Sequence, residues 1–125
     1  MMQEMRILST KNSPEVILNP DGFIKVKGRS IHENVIDFFK PVELWVNEYV
    51  KAPADMTLID IDLEYCNSAS SKFLIHIFQK ISQVRLQHKK FRINWYYEDG
   101  DEDIFERGEY FSSILNIPFN FIKTT

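Results

Sequence analysis

Eight residues in the middle of the chain, Tyr65-Cys66-Asn67-Ser68-Ala69-Ser70-Ser71-Lys72, hold three serines and an asparagine in a short polar run. They lie where an alternating segment, Met56 to Tyr65, gives way to a long apolar-periodic one, Phe73 to His88. A strand that ends here and a helix that begins here leave free backbone N–H donors and a positive dipole end beside the serines. Asn67, Ser68, Ser70 and Ser71 could therefore cap the helix by accepting from its orphan donors. One residue usually suffices for a cap, so a second use stands beside it: Ser68 could carry a phosphate, favoured by the helix N-terminus and within reach of Lys72. A nucleophilic serine would need a base. His32, His76 and His88 are the only histidines, and none stands in a triad signature.

Other reactive groups offer less. Cys66 is the only cysteine, which excludes an internal disulfide and suits a reducing compartment. At the end of a buried strand it reads as a small apolar filler. The run Glu98-Asp99-Gly100-Asp101-Glu102-Asp103 invites calcium or magnesium but lacks the D-x-[DN]-x-[DN]-G pattern of an EF-hand loop. Asp101 as a helix cap, with Glu102, Asp103 and Glu106 at the positive end, explains the same residues. Asp60, Asp62 and Glu64 read as the solvated face of a strand. Gly28-Arg29-Ser30 is too short for a phosphate-binding loop. One cysteine and scattered histidines give no zinc spacing. No metal, no cofactor and no enzymatic activity are expected.

The 125 residues are enough for one domain, 1–125, with a single hydrophobic core. A net charge of -3 argues against nucleic acid or an anionic membrane surface as a partner. The start of the chain lacks the basic-then-apolar pattern of a signal peptide, and no apolar run approaches spanning length, so a cytoplasmic location is expected. With 14% aromatic residues, some aromatic surface should remain for a protein partner after the core is filled.

The elements that must position the hydroxyl turn follow from periodicity. Short runs at Arg6–Thr10 and Glu15–Leu18 flank a turn, and Asn19-Pro20-Asp21-Gly22 leads into alternating Phe23 to Lys27, so 15–27 forms a β-hairpin. A helix starts near Ile31, with Val35, Phe39, Val42, Trp45 and Tyr49 on one face, and Pro41 should kink or divide it. Thr57, Ile59, Ile61, Leu63 and Tyr65 form the apolar face of the next strand. A second helix covers roughly Ser70 to His88, with Phe73, Ile77, Ile81 and Val84 inward and Leu74, Phe78 and Leu86 widening the stripe. Then come a strand over Phe91–Tyr97, a third helix over about Glu102–Leu115, and a short strand over Phe119–Ile122. The sum is an α/β fold: a mixed β-sheet with an N-terminal β-hairpin and about three helices mainly on one face.

Several stretches together resemble one family: Lys27-Gly28-Arg29-Ser30-Ile31-His32-Glu33-Asn34, Phe39-Lys40-Pro41 with Trp45, Leu63 to Lys72, Asn94-Trp95-Tyr96-Tyr97 and Asp101-Glu102-Asp103. In that order, from about Glu15 to Phe121, they resemble the SiaC family of bacterial regulatory phosphoproteins, which is similar in architecture and partner-switching logic to anti-sigma-factor-antagonist (STAS) domains. The resemblance implies a non-enzymatic signalling switch. A Ser/Thr protein kinase would phosphorylate the strand-to-helix turn and a PP2C-type phosphatase would reverse it. The unphosphorylated form would bind and activate an effector such as a diguanylate cyclase, linking it to cyclic-di-GMP and biofilm regulation. The family turn reads approximately Asn-Thr-Ser-Ser, and its modified Thr matches Ser68. Ala69 departs from the pattern, which leaves Ser70 and Ser71 as neighbouring candidates. The implied phosphate and partner contacts are Asn67, Lys72 and Arg29. Two other classes stay open: a constitutive interaction scaffold whose serines only cap, and a small metal- or ligand-binding domain using the carboxylates of 98–106 or 60–64.

Overall fold

The hairpin turn shows how local chemistry fixes the first layer. Gly22 adopts φ +112, and a Cβ there would lie 2.1 Å from the Met56 carbonyl oxygen, so only glycine fits. The Asn19 side chain closes the same turn by accepting from Asp21 N–H at 2.8 Å. This is a computed structural model describing residues 2–31 and 33–125. His32, one of the histidines weighed as a base, lies outside the described residues.

Among the described residues six strands form one sheet in chain order: β1 (Met5–Ile7), β2 (Glu15–Asn19), β3 (Phe23–Ser30), β4 (Met56–Cys66), β5 (Lys90–Glu98) and β6 (Asn120–Thr124). β1, β2 and β3 pair antiparallel, and β3 to β6 pair parallel. Helices α1 (Val35–Tyr49), α2 (Ser68–Ser82) and α3 (Glu102–Leu115) fill the three crossovers. All three step the same way across the sheet, so right-handed connections put them on one face, with α2 between α1 and α3. The mixed sheet, the hairpin and the one-sided helices agree with the sequence expectation.

The core lies between that face and the helices. Val16, Leu18, Ile24, Val26, Ile59, Ile61, Leu63, Ile93 and Trp95 are buried from the strands, against Phe39, Val46, Leu74, Phe78, Ile81 and Phe111 from the helices. Trp95 sets the seat of α3. Its indole Nε1 donates to the Ile104 carbonyl at 3.0 Å, and its ring meets Phe111 and Phe119 at centroid distances of 5.2 and 6.0 Å. Gly108 makes that approach possible, since a Cβ there would lie 2.6 Å from the indole nitrogen. The opposite face carries a polar ladder: Asn120 Nδ2 donates to Asn94 Oδ1 at 3.0 Å, and Asn94 Nδ2 donates to Asp60 Oδ1 at 2.9 Å. Beside it Tyr96 has its phenol pushed up by burial and by the carboxylates of Asp60 and Asp62.

Several boundaries differ from the periodicity, each for a local reason. α1 begins at Val35 and runs through Pro41 as a single helix. α2 begins earlier than expected, at Ser68, and ends at Ser82; a 3-10 turn, Gln83–Gln87, follows and stops at His88 with φ 61. That tighter turn rotates Leu86 outward, leaving it 82% exposed instead of widening the core stripe. The largest correction concerns Tyr65. Gly28 pairs with Leu63 but Arg29 pairs with Tyr65, so β4 holds one extra residue at Glu64. This bulge reverses the alternation: Tyr65 leaves the apolar face and is 53% exposed, while Cys66 turns in and is buried.

Candidate functional site

The bulge at the end of β4 aims the turn that follows. Ser30, the last residue of β3, pairs with Cys66, and its carbonyl accepts from Asn67 N–H at 3.0 Å. Asn67 then leaves the sheet as the cap of α2, its side chain accepting from Ser70 N–H at 2.9 Å. Capping is thus performed by Asn67 alone. The remaining hydroxyls have different fates.

Ser70 is fully buried, and Ser30 Oγ donates to its Oγ at 2.8 Å, tying the start of α2 to the end of β3. Ser71 is buried as well. Its Oγ accepts from the Arg107 guanidinium on α3 and lies 3.2 Å from Cys66 Sγ. Burial pushes the Cys66 thiol up, against the smaller opposing pull of Ser71 and Arg107, so it stays protonated at neutral pH. Ser68 is the exposed serine of the turn, at the first position of α2, and among the described residues its hydroxyl makes no hydrogen bond.

Ser68 opens onto a hollow of about 420 Å³ between α2 and α3. Ser71, Lys72 and Ile75 line it from α2, and Arg107, Tyr110 and Ile114 from α3. Tyr110 and Ile114 are 55% and 48% exposed, so the rim is apolar around a charged floor. Across Arg107 lies a second hollow of about 610 Å³, walled by Glu64, Tyr65 and Cys66 on one side and by Asp101, Asp103 and Glu106 on the other. Arg107 and Tyr110 line both. No ion pair joins Arg107 to a carboxylate among the described residues.

The structure therefore brings Ser68, Ser71 and Lys72 to one hollow and leaves Asn67 engaged as the cap. Arg29, exposed on β3 beside Tyr65, is not among the residues lining that hollow. Arg107 and Tyr110, which the sequence reading did not single out, line it from α3. The signal for them was Gly108 between them, a residue that costs helix stability unless something must come close. The acidic run 98–103 is used locally: Asp101 Oδ1 accepts from Ile104 N–H at 3.1 Å as the cap of α3, with Glu102 and Asp103 in its first turn. Among the described residues no three metal-ligating side chains come together.

The profile of a family described as SiaC family regulatory phosphoprotein matches residues 7–124. The chain belongs to the SiaC family. A protein of Pseudomonas aeruginosa (strain UCBPP-PA14), itself uncharacterised, is 24% identical over 119 residues, covering 94% of each chain. Apo-SiaC from Pseudomonas aeruginosa superposes with a TM-score of 0.84 at 22% identity, covering 99% of this chain and all of that one (100%). A chain in the crystal structure of the diguanylate cyclase SiaD with its activator SiaC, also from Pseudomonas aeruginosa, gives 0.83 at 23% identity, over 96% of this chain and 99% of that one. These SiaC likenesses show the fold. The family description is regulatory, and the SiaC in that complex is an activator of an enzyme. No helix among the described residues is long and apolar enough to cross a membrane.

Proposed function

We propose that residues 1–125 act as one cytoplasmic, non-catalytic switch controlled by phosphorylation of Ser68. A Ser/Thr kinase transfers the γ-phosphoryl group of ATP to Ser68 Oγ, the hydroxyl proton leaves, and ADP is released. A PP2C-type phosphatase returns the hydroxyl by hydrolysis, releasing inorganic phosphate. The dephosphorylated form binds and activates an effector, for which a diguanylate cyclase is the model offered by the SiaC–SiaD complex.

One observation carries this reading: of the three serines in the turn, Ser68 alone is exposed, and it stands in a hollow with an apolar rim. Ser70 and Ser71 would have to break buried hydrogen bonds to meet a kinase. Tyr110, Ile114 and Ile75 give a partner apolar surface to cover beside Ser68. A phosphoserine adds about -1.5 to -2 charges there. Desolvating that charge beneath a partner costs several kcal/mol, and each ~1.4 kcal/mol is tenfold in affinity.

The test has two parts. Kinase and ATP should label the wild-type protein on the peptide containing Ser68, read by mass spectrometry, and leave Ser68→Ala unlabelled. Ser68→Asp should lower affinity for a diguanylate cyclase that wild type activates by at least about tenfold. Equal binding by Ser68→Asp and wild type would overturn the switch.

A further inference from the structure

We propose that Arg107 is the internal counter-charge for a phosphate on Ser68. This rests on Ser68 as the modified residue and adds what receives the phosphate. Ser68 and Ser71 are three residues apart on α2, so their side chains stand one above the other on the same helix face. The Arg107 guanidinium already reaches that face, donating to Ser71 Oγ. It lines the same hollow as Ser68, and no carboxylate among the described residues pairs with it. A guanidinium has five N–H donors in a planar fork, so the bond to Ser71 leaves others for a phosphate oxygen one turn away.

Lys72 lines the hollow too, but it is exposed and its flexible ammonium is a hydrated point charge. Arg107 is half-buried, next to the Gly108 contact that fixes α3 on Trp95. Its charge is therefore presented from a rigid element, where the same interaction counts for more than at a solvated site. Neutralising it also alters the second hollow, whose acidic wall loses its one lining cation. Phosphate at Ser68 thus cancels the positive charge of the first hollow and leaves the already acidic second one more anionic.

Genetic encoding of phosphoserine at position 68 of the full chain tests this without any kinase. The ³¹P signal of the phosphate is titrated between pH 4.5 and 8, a range spanning the phosphoserine second ionisation near about 6. A facing guanidinium favours the dianion and holds that midpoint down. Arg107→Gln should raise it by about half a pH unit, and Arg107→Met, which keeps much of the apolar stem, should do the same. Arg107→Lys should restore most of the lowering. Ser71→Ala, which removes the resting hydrogen bond but keeps the guanidinium, should leave the midpoint low. Equal midpoints with and without Arg107, or a full shift produced by Lys72→Gln instead, would overturn the assignment. Failure of kinase labelling would strike the switch and leave this titration standing.

Discussion

The turns after β4 and β5 lie side by side at one end of the parallel sheet, and both begin a helix with a side-chain cap. Asn67 accepts from Ser70 N–H, and Asp101 accepts from Ile104 N–H, at nearly the same distance of 2.9 and 3.1 Å. Their surroundings then diverge. The turn after β5 is followed by Glu102 and Asp103, which add to the dipole interaction and need no further partner. The turn after β4 is preceded by a bulge and followed by an exposed hydroxyl with no hydrogen bond among the described residues. Two turns with the same capping arrangement thus differ in what they leave unspent. The acidic one is complete by itself, whereas the serine turn presents an exposed hydroxyl that the fold among the described residues does not engage.

Substitutions can break or sharpen that contrast. The largest effect on stability is expected at Gly108, which seats α3 and with it both Asp101 and Arg107. Gly108→Ala gains about 1 kcal/mol in helix propensity. It also forces a methyl to within 2.7 Å of three Trp95 ring atoms, and the ring is held by Phe111 and Phe119. A net loss of about 1–2 kcal/mol in urea unfolding is expected, because overpacking a held ring outweighs propensity. An unchanged urea midpoint would mean that α3 can shift freely on the sheet.

The two serine-turn residues should separate next. Asn67→Ala should cost about 1 kcal/mol as a lost cap, and Ser68→Ala should stay within about 0.5 kcal/mol. Equal losses at both would mean that Ser68 shares the cap, which would erase the contrast between the turns.

The smallest effect lies on the other flank of α2, where Glu43 of α1 meets His76 at 2.6 Å and Lys80 at 3.4 Å. The His76 hydrogen bond holds the Glu43 carboxyl below its ordinary value of 4.5, with Lys80 adding to the lowering against desolvation. A lowered folded-state value gives stability that is present above pH 4.5 and is lost as pH falls through the folded value. The partners are partly solvated, so less than about 1 kcal/mol is involved. Glu43→Gln should remove that part of the acid dependence, seen as a flatter stability curve below pH 4.5. Unaltered curvature would assign it to other carboxylates.

Much of this arrangement was legible because local chemistry and the sheet agree. Asp101 with its acidic followers marked the start of α3 at Glu102, and alternation marked β4 through Leu63. The fold family and the hydroxyl turn were readable for the same reason, since each element carries its own cap or turn. Tyr65 was misplaced because a period-two pattern cannot show an inserted residue; the bulge exists only in the pairing with β3. Arg107 was passed over because Glu106-Arg107 reads as a solvated helix face, and its partner Ser71 lies 36 residues away. Of the two outcomes expected at Pro41, division of the helix does not occur, since α1 runs unbroken from Val35 to Tyr49. Propensity describes a segment alone, and long-range pairing decided the cases of Tyr65 and Arg107.

The sheet order β1 to β6 also has a consequence for synthesis. Each strand joins the edge left by the one before it, so the sheet can grow as the chain leaves the ribosome, without waiting for a distant partner. The hollow at Ser68 cannot grow that way, because Arg107 and Tyr110 follow Ser68 by some forty residues. A nascent chain emerged only as far as β5 has the serine but no wall facing it. The surface proposed for a partner is therefore completed late, after most of the scaffold that carries it.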